Sequence, residues 1–114
     1  MYNRDANYYN NIGISQFQKN NFESAISSFR LGLSFAKNQN DGNFIDILNY
    51  NLAVTYEKLG DAYKNKDEYY SRELYNLAFS HINNYLDSEI KEKERKDEAL
   101  ELKNRLMHNQ YVNK

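Results

Sequence analysis

Cysteine, proline and tryptophan are all absent from this chain, and glycine occurs only four times in 114 residues. Without cysteine there is no disulfide, no thiolate metal site and no thiol nucleophile. Without proline, and with so little glycine, the turn chemistry that a many-stranded sheet needs is scarce. One clear turn pair exists, Asp41-Gly42. No apolar run approaches the roughly 20 residues of a membrane span. The opening stretch MYNRDANYYNN is polar and does not read as a secretory leader. Charge of one sign is lacking too: 15 basic and 16 acidic residues leave a net charge of -1. That balance gives no electrostatic case for nucleic acid or for an anionic membrane. The expected setting is the cytoplasm of a bacterial cell.

What remains is a helical pattern. A chain of this length suits one domain, spanning 1–114, with a modest core. The apolar spacing predicts five helices. The first runs from about Asp5 to Lys19 and the second from about Phe22 to Asn38, with Asn21 as N-cap. The third runs from about Asn43 to Leu59 and stops at Gly60, read as a left-handed cap. The fourth opens near Lys66, with Asn65 and Glu68 as a capping pair, and ends near Leu86; a rival reading carries it back to Asp61. The fifth starts after Asp87 or Ser88 and reaches about His108. Its first half is nearly all charged, and Glu89/Lys93, Glu92/Lys96 and Glu101/Arg105 fall at i, i+4 spacing.

The first and third helices share a pattern displaced by 40 residues. Ile12-Gly13 aligns with Leu52-Ala53, and Lys19-Asn20-Asn21 with Leu59-Gly60-Asp61. Such internal periodicity marks helical repeats. Tyr9-x2-Ile12-Gly13, Phe22 and Ala25-x3-Phe29-x2-Gly32 together resemble a tetratricopeptide (TPR) repeat, as do Leu52-Ala53-x2-Tyr56 and Leu59-Gly60. The resemblance covers about residues 8–86. Gln16 stands where the family has an aromatic, and the proline that normally ends a repeat is missing. In the second repeat either Ser71/Tyr75/Ala78 or Leu74/Ala78/His81 fits the small-large-small pattern.

The resemblance implies an all-α fold of antiparallel helix hairpins stacked as a short right-handed solenoid. Repeat one spans about 5–38 and repeat two about 43–86. A capping helix spans about 88–108. It makes Gly13, Ala25, Phe29, Ala53, Tyr56 and Gly60 the structural positions, with Gly13 and Ala25 small so that paired helices approach closely. It also implies a concave groove for a protein or peptide partner. The groove positions are Asn7, Asn10, Ile14, Phe17 and Gln18 on the first helix. On the third they are Ile47, Tyr50, Asn51, Val54, Glu57 and Lys58. The family's charged clamp for a partner's terminal carboxylate is not expected, since of its residues only Asn51 matches. A tyrosine cluster, Tyr63, Tyr69, Tyr70 and Tyr75, is a candidate for further contacts, including a homodimer.

Sites of chemistry are not apparent. His81 and His108 stand alone, and no zincin, Walker or dinucleotide motif occurs. The run Lys91-Lys93-Arg95-Lys96 is diluted by glutamates and reads as a solvated face. The sequence thus predicts a non-catalytic binding module, an adaptor, scaffold or assembly chaperone, with no cofactor and no metal. The alternative is a signalling-peptide sensor related to bacterial TPR regulators.

Overall fold

In the computed structural model, which describes residues 4–90 and 93–112 and side chains as far as Asn109, five helices follow one another in the order α1 (Ala6–Gln18), α2 (Phe22–Asn38), α3 (Gly42–Tyr63), α4 (Glu68–Asp87) and α5 (Lys96–Val112). No strand occurs among the described residues, so the chain is all-α. Each helix packs on its neighbour in sequence, and α3 also touches α1 and α5. The turns from α1 to α2, from α2 to α3 and from α3 to α4 are short, which makes those pairs antiparallel hairpins.

The turns are built by asparagine and aspartate. Asn20 and Asn40 take the left-handed conformation, with φ of 62° and 53°. After each, a backbone N–H reaches back to the preceding helix: Asn21 to the Gln16 carbonyl and Asp41 to the Ala36 carbonyl, both at 2.9 Å. Such bonds satisfy carbonyls that a helix end leaves open. Asp5, Asp41 and Asp67 then cap α1, α3 and α4, each carboxylate accepting from the backbone N–H three residues on, at 3.0, 3.2 and 3.0 Å. Asn21 precedes α2 without a side-chain cap bond.

The boundaries on both sides of the α3–α4 turn differ from the sequence expectation. Helix α3 does not stop at Gly60 but continues to Tyr63, and no glycine among the described residues has positive φ. Helix α4 is opened by Asp67, not by Asn65, and residues 61–63 belong to α3. The reason is a close approach. A Cβ added at Gly60 would lie 2.7 Å from Cε1 of Tyr75 on α4, just as one at Gly13 would lie 2.5 Å from Cε1 of Phe29 on α2. Both rings are 2% exposed. Gly60 therefore packs as Gly13 does, 47 residues further along the chain, and Tyr75 meets it as Phe29, 46 residues earlier, meets Gly13. Of the two open patterns on α4, Ser71/Tyr75/Ala78 is the one that meets Gly60: all three are buried, Tyr75 supplies the ring at Gly60, and Ser71 Oγ donates to the Gly60 carbonyl at 2.7 Å, whereas His81 of the other pattern is only half-buried. The Tyr75 hydroxyl donates to Asp61 at 2.6 Å. Burial, with this bond to the carboxylate second, pushes its pKa up.

The core runs through all five helices, with Ala6 the buried hydrophobic of α1. Ala25, Phe29 and Ala36 of α2, Leu48, Leu52 and Ala53 of α3, Tyr75, Ala78 and Ile82 of α4, and Ala99, Leu102 and Leu106 of α5 are buried. Helix α5 begins at Lys96, well after the expected start. Residues 88–90 and 93–95 form a non-helical connection, pinned where Tyr85 Oη accepts from the Arg95 backbone N–H at 3.0 Å and Lys93 Nζ donates to the Ser88 and Ile90 carbonyls. An i, i+4 pair adds only about 0.2–0.5 kcal/mol to a helix. Such pairs do not compensate a segment whose one apolar side chain among the described residues is Ile90. Lys91 and Glu92, and with Glu92 the expected pairing to Lys96, fall outside the described residues. Arg105 turns away from Glu101 to Glu57 on α3, with two hydrogen bonds of 3.0 and 2.9 Å.

Candidate functional site

Helices α1 and α3 lie side by side, and their outward faces form an open groove with a volume of about 400 Å3. Ile14, Phe17 and Gln18 line it from α1, and Tyr50, Asn51, Val54 and Thr55 from α3. Six of these are expected groove positions. The i, i+3 and i, i+4 spacing on each helix brings them to one side. The floor is the edge of Phe29, the same ring that locks the α1–α2 hairpin. The groove is thus built directly upon the close approach at Gly13.

The side chains in it are not equally free. Ile14 is exposed at its rim. Phe17 and Val54 are half-buried and packed against the core, Phe17 also meeting Phe22 edge-on at 5.3 Å. Asn51 and Asn10 hydrogen-bond each other, Nδ2 to Oδ1 at 2.8 Å, and so tie α3 to α1. Asn10 is buried by that bond. The Asn51 backbone carbonyl accepts from Thr55 at 2.6 Å. Asn7 and Lys58 are exposed and stand outside the hollow. Glu57 faces α5 and is buried in its pairing with Arg105. Ile47 is exposed and lines a smaller annex of about 60 Å3 that shares Tyr50, Asn51 and Arg95 with the main groove.

Arg95 is the residue that sequence reasoning missed. The connection after α4 carries its guanidinium over the Tyr50 ring, 5.5 Å from the centroid. Tyr50 rests in turn on Tyr85, with centroids 5.4 Å apart. Arg95 forms no salt bridge among the described residues, so one end of an apolar groove carries a positive charge, with Glu94 at the edge of the annex. Nothing in the sequence signals this, because the position depends on a non-helical connection.

The tyrosine cluster divides. Tyr75 is core, Tyr63 and Tyr70 pack edge to face at 4.8 Å, and Tyr69 is 76% exposed. His108 is exposed on α5. No group of three or more histidine, aspartate or glutamate side chains placed to hold a metal ion occurs among the described residues. No helix among them is long and apolar enough to cross a membrane.

No protein-family model matches the chain, and comparison with curated proteins and with solved structures likewise returned no match.

Proposed function

We propose that this chain is a non-catalytic binding module of the tetratricopeptide type, which receives a segment of a partner protein in the groove between α1 and α3. The supporting observation is the groove itself: an apolar, partly exposed surface on two paired helices, each anchored by a glycine–aromatic contact. The parallel between the Gly13–Phe29 and Gly60–Tyr75 contacts supports the resemblance. Tyr9-x2-Ile12-Gly13 with Ala25-x3-Phe29 is matched by Tyr56-x2-Leu59-Gly60-x2-Tyr63 with Ser71-x3-Tyr75, close to the repeat's consensus spacing. On this reading the two hairpins are two repeats, and α5 covers the end of the stack.

The occupant we favour is a peptide segment with an apolar anchor beside an aspartate or glutamate. The anchor fits between Ile14, Phe17 and Val54, and the carboxylate meets Arg95. A guanidinium already aligned by an aromatic ring loses little freedom on pairing. Asn51, held by Asn10, stands among these groups. Selection of a random peptide library on the pure chain tests this. Enriched sequences are expected to combine a large apolar residue with a neighbouring acid. Enrichment of basic sequences, or none, rejects the reading.

A further inference from the structure

The opposite face of α3 closes a second hollow, larger than the groove, at about 470 Å3. Tyr56, which lines it, follows Val54 by two residues, just over half a turn of helix. Helix α2 contributes Arg30, Leu33, Ser34 and Lys37, and α4 contributes Leu77 and His81. Arg30 and Lys37 are seven residues apart, two turns, so both lie along one side of α2. Neither forms a salt bridge among the described residues, where the ion pairs are Arg72–Glu68 and Arg105–Glu57. No carboxylate lines the hollow.

The surroundings register this unbalanced charge. His81 is half-buried, stacked on Tyr56 at 5.7 Å with the rings 10° from parallel. Its Nδ1 lies 2.8 Å from Asn49 Oδ1, a bond in which Nδ1–H donates. Burial first, then the positive charges of Lys37 and Arg30, push its pKa down to about 4. The Tyr56 hydroxyl, raised by burial, is also drawn down by Arg30. Two cations thus converge on a partly apolar cavity that supplies no counter-charge.

We propose that this hollow binds a small organic oxyanion, its phosphate or carboxylate group held between Arg30 and Lys37 and its apolar body lying against Leu33, Leu77 and the Tyr56 ring. The Ser34 hydroxyl is placed in the same lining to donate a further hydrogen bond. The site is separate from the groove, and either stands without the other. A charge-assisted hydrogen bond is about twice as strong as a neutral one, and the apolar walls distinguish such a ligand from inorganic phosphate.

The full chain is titrated with phenyl phosphate, benzoate and inorganic phosphate at constant ionic strength, followed by calorimetry and by the His81 ring resonances. Saturable one-site binding of phenyl phosphate or benzoate, tighter than that of inorganic phosphate, is expected; which of the two binds better identifies the headgroup. Arg30→Gln and Lys37→Gln are each expected to weaken it about tenfold. Both side chains are exposed, so the variants keep the helical fold, checked by circular dichroism. The His81 pKa is expected to rise when the anion is bound. Absence of saturation, unchanged affinity in the double variant, or equal displacement by chloride overturns the proposal.

Discussion

Replacing Gly13 by alanine tests the packing on which the groove rests. A Cβ at Gly13 would sit 2.5 and 2.6 Å from two ring carbons of Phe29. Comfortable carbon–carbon contact is about 3.5–4.0 Å, so the ring would have to withdraw by roughly 1 Å. It is 2% exposed and sits in the core, so its neighbours must move with it. Overpacking of this kind costs about 1–3 kcal/mol. Against that stands the gain from alanine in a helix interior, up to about 1 kcal/mol over glycine. The net expectation is a loss of about 1 kcal/mol in urea denaturation followed by far-UV circular dichroism, with an unchanged m-value. Gly42→Ala is the control. Its Cβ would meet only Ile90 Cδ1, at 3.7 Å, and a change within about 0.5 kcal/mol is expected. The double variant Gly13→Ala/Phe29→Leu should be more stable than the sum of its parts by about 1 kcal/mol, because the smaller side chain vacates the contested space. If Gly13→Ala instead stabilises by the full helix-propensity gain, the ring is free to move and the glycine–aromatic contact does not hold the hairpin.

Gly60→Ala is expected to behave alike, with a loss of about 1 kcal/mol in the same assay, since its Cβ would meet the Tyr75 ring at 2.7 and 2.8 Å. Arg105→Ala leaves the buried Glu57 carboxylate without its bidentate partner; a loss of about 1–3 kcal/mol is expected, and Glu57→Gln, which keeps a neutral acceptor, should lose less. His81 is neutral in the fold down to about pH 4 but takes up a proton near 6.5 once unfolded. Between those values the unfolded chain binds more protons, so stability is complete above pH 6.5 and declines as pH falls toward 4. Discounted for partial exposure, the decline is about 1–2 kcal/mol, and His81→Gln should flatten it in urea titrations across that range.

Much of this fold is legible in the sequence because its helices are amphipathic and its breaks are polar. The bounds of α2, Phe22–Asn38, follow from the face Ala25, Ile26, Phe29, Leu33, Ala36 and from the Lys19-Asn20-Asn21 break. Gly60 is ambiguous in the sequence for a physical reason. Glycine serves equally as a left-handed cap and as a vacancy for a neighbouring ring. Only the ring of Tyr75, fifteen residues on, decides between them. The parallel spacing of Tyr9, Ile12 and Gly13 with Tyr56, Leu59 and Gly60 was the available signal. The start of the fifth helix is not legible from its charge pairs, because burial sets it, and Ala99, Leu102 and Leu106 are what anchor it. Six residues of the hollow between α1 and α3 are among those the resemblance implies. Arg95, Arg30 and Lys37 could not be assigned roles, since what makes each notable is an aromatic ring or a cavity wall contributed by a different helix.

The binding claim is tested most directly by mapping amide chemical shifts of the chain with the strongest selected acidic–apolar peptide, in the native protein and in Ile14→Glu and Arg95→Glu. Both positions are exposed, so the fold is retained. Shifts gathered at Ile14, Tyr50, Asn51 and Val54, with affinity reduced tenfold or more in each variant, are predicted. Shifts confined to α2 and α4, or affinity indifferent to both substitutions, would contradict it.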